Sequence, residues 1–244
     1  MPQARPKPPG GLARSVRLVR AFAVEQTEPQ RFYSVLAEDS VGTVLAYTDL
    51  AGRVVLDVGA GRPEFAAAFE ERGARYVAAD PERADLRADS RVVLVAARGE
   101  ALPFADGGVD VCFCSNVFEH VVRPERLGAE LVRVTRRGGL VVVAYTNWLS
   151  PWGGHETSPW HYLGGERAIR RYERRYGHPP KNRVGETAYR VSVADGIRWA
   201  RGQDGAELLT ARPRYYPAWA APLVRVPGLR EVLTWNLLLV LRRV

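Results

Sequence analysis

The chain has only two cysteines in 244 residues, Cys112 and Cys114. Two positions apart on one strand they would bridge badly, which excludes a disulfide framework. Lysine is nearly absent, at positions 7 and 181 alone, so arginine carries the formal net charge of +8. No apolar run approaches the ~18 residues that span a bilayer. The opening MPQARPKPPGG lacks the apolar stretch of a secretory signal. These absences predict a cytoplasmic protein. The positive charge admits three partners: nucleic acid, an anionic membrane surface or an anionic substrate. It fits equally an arginine-rich coding bias with no functional meaning. What remains is ordinary globular composition, 46% hydrophobic and 25% charged, at a length that suits one α/β domain with a sizeable core.

Residues 1–14 are rich in Pro, Gly and basic side chains and read as a disordered tail. Residues 15–50 have helical spacing, with Phe32, Val35, Leu36, Val44 and Leu45 as the apolar positions. From residue 51 the register changes. Short apolar runs at 54–56, 75–79, 91–96, 109–114 and 140–144 alternate with helical stretches, the last of these helices covering 124–137. Strands that are apolar on both faces, alternating with helices, predict a parallel sheet covered on both sides. The rhythm lapses over 145–190, an insertion after the fifth strand. It returns with a helix-capping signal at Ser192–Asp195. Two further strands follow, at 207–216, where Pro213 favours a sheet edge, and at 233–242.

The sharpest signal is the first strand-to-helix turn, Asp57-Val58-Gly59-Ala60-Gly61. Glycines let the backbone approach a ligand, and the N–H groups at the following helix start favour an anion. Asp80-Pro81 closes the second strand, where an acidic residue meets ribose hydroxyls in nucleotide-binding sheets. The competing reading is a tight turn with Asp80 as a helix cap. The third position of the glycine pattern is Glu64. A bulky carboxylate there suits a pyrophosphate poorly, and a cofactor without phosphates fits better.

The successive stretches LDVGAG, ADPE, GEALPFADGGVDVCFCSNVFEHV and LVRVTRRGGLVVVA resemble the motifs of class I S-adenosylmethionine-dependent methyltransferases. They are closest to the small-molecule branch typified by ubiquinone/menaquinone-type enzymes. The resemblance covers 53–144, with weaker support at WNLLLVLRR. It implies a Rossmann-like, doubly wound, seven-stranded, mostly parallel α/β sheet whose last strand pair is antiparallel. On that sheet it implies an N-terminal helical cap at 15–50 and a methyltransferase domain at 51–244 with a lid insertion at 145–190. The implied cofactor is S-adenosyl-L-methionine, with S-adenosyl-L-homocysteine as product. By resemblance Gly59, Ala60 and Gly61 approach the methionine moiety beside Asp57. Asp80 and Pro81 flank the ribose, and Gly99, Glu100, Ala101 and Leu102 lie over the adenine. Asn116 and Val117 lie beneath the cofactor, His120 follows, and Phe32 and Tyr33 close over it from the cap. Arg98 stands where the family often has an Asp that accepts from the adenine amino group, and a guanidinium cannot accept.

Methyl transfer asks the protein mainly to align nucleophile, methyl and sulfur, with a base only where the nucleophile loses a proton. His120, His155 and His161 are the candidate bases, and a backbone-bonded His120 is the plain alternative. Too few well-spaced ligands accompany His155 and His161 for a metal. Trp148, Trp152, Trp160 and Tyr162 suit an apolar or glycan-like acceptor, or else form a satellite core. Arg167, Arg170, Arg171, Arg174 and Arg175 share one helix face, which is either merely solvated or meets an anionic acceptor or membrane surface. The expected function is methyl transfer to a small-molecule acceptor. A non-catalytic S-adenosylmethionine-binding module and an RNA methyltransferase are the alternatives. A nucleic-acid partner lacks a recognisable module.

Overall fold

A computed structural model describes residues 10–25, 27–81 and 92–244. Helices α1 (Leu12–Phe22) and α2 (Pro29–Leu45) precede strand β1 (Val54–Val58). Then come α3 (Pro63–Glu70), β2 (Arg75–Ala79), β3 (Val93–Val95), β4 (Val109–Ser115), α4 (Pro124–Val134) and β5 (Thr135–Thr146). The chain ends with α5 (Gly165–Tyr176), α6 (Val193–Arg201), β6 (Ala206–Pro213), α7 (Leu229–Leu233) and β7 (Asn236–Arg243). The seven strands lie in the order β3-β2-β1-β4-β5-β7-β6. The first five are mutually parallel, and β7 runs antiparallel between β5 and β6. The Rossmann-like sheet with an antiparallel last pair is as expected.

Alternate residues of each central strand supply two cores. Val111, Phe113, Val142 and Val240 face a layer of α1, α2 and α3, where Leu18, Phe32, Leu36 and Phe69 are buried. Cys112, Val141, Val143 and Leu239 face α4 and α6, with Leu127, Leu131 and Ile197. Burial on both faces is why these strands are continuously apolar. Pro213 ends β6 at the sheet edge, where its missing N–H costs no ladder bond. The capping box of α6 forms as expected, Ser192 and Asp195 bonding reciprocally.

Several boundaries differ from the sequence reading: β3 is shorter than 91–96, β6 ends at Pro213 and β7 starts at Asn236, and two further differences follow from long-range ion pairs. The expected tail overlaps α1, which starts at Leu12, and Arg14 holds Asp39 of α2 through two bonds of 2.5 and 2.6 Å. That buried ion pair docks the first helical turn; residues 1–9 lie outside the described ones. Helix α4 stops at Val134 instead of reaching 137. Thr135 already pairs with Val109, and the Arg136 guanidinium is drawn to Asp110 at 2.5 Å. Among the described residues no helix is long and apolar enough to cross a membrane.

Candidate active site

The carboxyl ends of β1, β2, β4 and β5 share one edge, and the glycine turn leaves β1 there. Gly59 has φ of +79°, and a Cβ on it would stand 2.3 Å from Val117. Only glycine fits on both counts. Its N–H donates to the Ala79 carbonyl at 2.8 Å, tying the turn to β2 just before Asp80. Gly61 contrasts with it: a Cβ there would meet nothing within 4 Å. The turn is therefore closed against Val117 on one side and open on the other. Asp57 is buried beneath it, accepting from the Tyr76 hydroxyl at 2.5 Å. Burial, with the nearby Asp80 charge adding, pushes its carboxyl up to about 7.

Gly99 packs so closely on Leu127 and Val58 that a Cβ would stand 2.5 Å from Leu127. Beyond it Glu130 accepts from the Leu102 N–H at 2.8 Å, and Arg133 donates to the Leu102 carbonyl at 3.0 Å. This pins Glu100–Leu102 over α4. Arg98 is exposed, and its carbonyl accepts from the Ala101 N–H at 3.0 Å. Asn116 has a left-handed φ of +57°, a region Asn tolerates better than most residues. Its N–H donates to Ala144 at 2.7 Å, and its Oδ1 accepts from Asn236 at 2.8 Å.

The histidines divide. His120 follows the same edge, and its Nδ1 donates to the Thr187 carbonyl at 2.8 Å. The backbone-bonded alternative therefore holds for that nitrogen. His155 lies with its ring 5.1 Å from His120, and burial and the His120 charge lower it to about 4, so it is neutral at neutral pH. His161 is buried against Trp148 and Tyr162, its ring 5.0 and 4.1 Å from theirs. The three tryptophans do not share one wall. Trp148 meets His161 and Arg190, and Trp160 carries Arg171 at 3.9 Å. Trp152 reaches Phe22 of α1 at 5.2 Å and Trp235 at 6.0 Å. From the cap, Tyr33 sits 4.2 Å from the Arg62 guanidinium, directly after Gly61.

Sequence reasoning missed three residues at this edge. Glu119 is 2% exposed. One of its carboxylate oxygens accepts from the Thr146 N–H at 2.9 Å, and the other has no hydrogen-bond partner among the described residues. Burial raises its pKa. Arg212 comes from the far edge strand and Arg214 directly follows that strand, reaching Ser115 at 2.8 Å. An acidic residue beside a histidine was a visible signal for Glu119. Arginines in and just after a strand carry no such local signal.

Residues 56–143 match the methyltransferase domain family. The chain is 53% identical to an uncharacterized methyltransferase of Mycolicibacterium gilvum, over 95% of this chain and 94% of that protein. It is 49% identical to one of Mycobacteroides abscessus, again over 95% and 94%. The chain belongs to the S-adenosylmethionine-dependent methyltransferases. A solved S-adenosylmethionine-dependent methyltransferase from Mesorhizobium loti shares the fold, with a TM-score of 0.57 at 17% identity over 85% of this chain and 98% of that one.

The residues of this methyltransferase fit its cofactor. The open side of Gly61 leaves room against the backbone. The start of α3 offers N–H groups to a carboxylate. Glu64, on that first turn, has a buried oxygen without a hydrogen-bond partner among the described residues, which suits an ammonium. A sulfonium cofactor supplies an activated methyl group, so the chain's own task is alignment, enclosure and, for a protic nucleophile, proton acceptance.

Proposed function

We propose that this methyltransferase acts on a small organic acceptor with an anionic portion. The acceptor binds over the carboxyl ends of β4 and β5, between the α1–α2 cap and the 145–190 insertion. The observation that carries this reading is the seam between those two segments. Phe22 meets Trp152, and Phe22, Phe32 and Tyr33 continue edge to edge at 5.9 and 5.0 Å toward Arg62. A site roofed in this way suits a small molecule better than a duplex or a folded protein. Gly59, Ala60, Gly61 and Asp80 hold the cofactor at the turn, Gly99–Leu102 cover its base, and Asn116 and Val117 form its floor. Where the nucleophile carries a proton, Glu119 and His120 stand at the edge to receive it. The exposed arginine face of α5 suits peripheral contact with an anionic membrane.

Isothermal titration with S-adenosylhomocysteine, followed by labelled methyl transfer into a host extract, tests this reading. The intact chain should bind. Gly61→Val, which fills the open side of the turn, and Asp80→Ala should each weaken binding by about tenfold or more, ~1.4 kcal/mol. Label should enter the small-molecule fraction. No binding, unchanged binding in both variants, or label confined to RNA overturns it.

A further inference from the structure

Three arginines gather near one carboxylate beneath the cap, and among the described residues only Arg14 bonds to it. Asp39 gives both oxygens to Arg14. Arg214, 2% exposed, donates to the hydroxyls of Ser115 at 2.8 Å and Ser40 at 2.7 Å. Arg212 is 1% exposed, and all three of its side-chain nitrogens are buried without a hydrogen-bond partner among the described residues. Arg14, Asp39 and Arg214 are charged groups that act on it. A guanidinium stays protonated and carries five donors. Burying one unpaired is costly, and charged side chains that are fully buried are paired. If the position needed only shape, an apolar side chain of similar volume would serve better. The unmet demand is for an anion.

The register places this demand on the site. Ser115 pairs with Ala144, Ala144 with Leu238, and Leu238 with Arg212, one row across β4, β5, β7 and β6. Two residues before Leu238 on β7, Asn236 bonds Asn116, and its carbonyl accepts from the Arg214 N–H at 2.8 Å. The Arg214 guanidinium reaches back to Ser115, the residue before Asn116. Positive charge therefore begins beside the proposed cofactor floor and extends to Arg212, three strand spacings of about 4.8 Å away.

We propose that Arg212 and Arg214 form an enclosed oxyanion subsite that takes a carboxylate or phosphate group of the methyl acceptor. The proposal rests on the reading that the acceptor lies at this edge of the sheet. An anion held there directs the rest of a small molecule toward Asn116. Arg212 is enclosed, so admitting the anion requires the cap helices to move outward.

Thermal unfolding of the full chain in inorganic phosphate or acetate, against chloride at matched ionic strength, is the test. One of the two anions, at ten times its dissociation constant, should raise the wild-type midpoint by roughly 3–6 °C. Arg212→Met should start at an equal or higher midpoint, lose that rise and bind S-adenosylhomocysteine within about twofold of wild type. Arg212→Gln gives the same comparison with a polar side chain. No rise in the wild type, or an equal rise in both variants, overturns the subsite. Absent S-adenosylhomocysteine binding would overturn the methyltransferase reading separately, since the anion response needs no cofactor. In extracts with labelled cofactor, a charged product lost on phosphatase treatment identifies phosphate. A charged product that survives it identifies carboxylate, and an uncharged product overturns the proposal.

Discussion

Asp57 stands under the glycine turn with Tyr76 donating to it and the charge of Asp80 nearby. Its pKa rises from 3.8 to about 7 because burial disfavours the carboxylate. Between those values the folded chain holds a proton that the unfolded chain has released, so this group makes stability fall as pH rises from 4 to 7. The contribution is at most about 4 kcal/mol. His155, lowered from 6.5 to about 4, acts with the opposite sign over much of the same range, so a profile of the wild type alone mixes the two. Asp57→Asn keeps an acceptor for Tyr76 and removes only the first contribution. Its unfolding midpoint, relative to wild type, should climb as pH goes from 4 to 8, and a constant difference refutes the assignment. Turn residues such as Asp57, Gly59 and Gly61 were legible in the sequence because turn chemistry is local. Arg212 and Arg214 were not. What makes them exceptional is the register across β7, which lies more than twenty residues further along the chain.

At the scale of elements, the strands were legible because a sheet covered on both faces writes itself as unbroken apolar runs. Two of the boundary errors fell where a long-range ion pair overrode local composition: Arg14 with Asp39 orders a Pro/Gly-flanked segment, and Arg136 with Asp110 ends α4 early. Helix α5 is the element whose role its own sequence leaves open. Ala168 faces inward, while Arg167, Arg170, Arg171, Arg174 and Arg175 are exposed. Only Arg170 has an ion-pair partner among the described residues, Glu166 at 3.5 Å. Arg171 sits over the ring of the half-exposed Trp160, an apolar surface with a cation that suits an interfacial position. The chain should sediment with anionic vesicles and less so as salt rises. Each arginine near such a surface contributes about 1 kcal/mol. Reversing Arg170, Arg171 and Arg174 to Glu should therefore weaken partitioning by about a hundredfold or more, with S-adenosylhomocysteine affinity unchanged. A wild type that ignores vesicles, or a variant that sediments equally, makes this face plain solvated surface.

At the scale of the whole molecule, cap and insertion each had a separate signature, helical spacing before β1 and lost rhythm after β5. Their meeting had none, because Phe22 and Trp152 lie far apart in the chain and touch only once the fold brings the cap and the insertion together. Trp152 lies between Phe22 and Trp235, and Trp235 continues to Tyr216 at 5.7 Å, so one aromatic seam ties α1, the insertion and the β6–β7 connection. If that seam roofs the acceptor, its two sides are energetically coupled, and a double-mutant cycle reads the coupling. Phe22→Ala and Trp152→Ala should each destabilise the fold, and the double variant should lose less than the sum by about 0.5–1.5 kcal/mol in denaturant unfolding. Each single variant should also raise the acceptor KM more than it weakens S-adenosylhomocysteine binding, since Phe22 and Trp152 lie at the junction and Tyr33 stays on Arg62 at the turn. Losses that add to within about 0.3 kcal/mol would mean two surfaces that merely lie close. The acceptor would then enter an edge that the cap and the insertion cover independently.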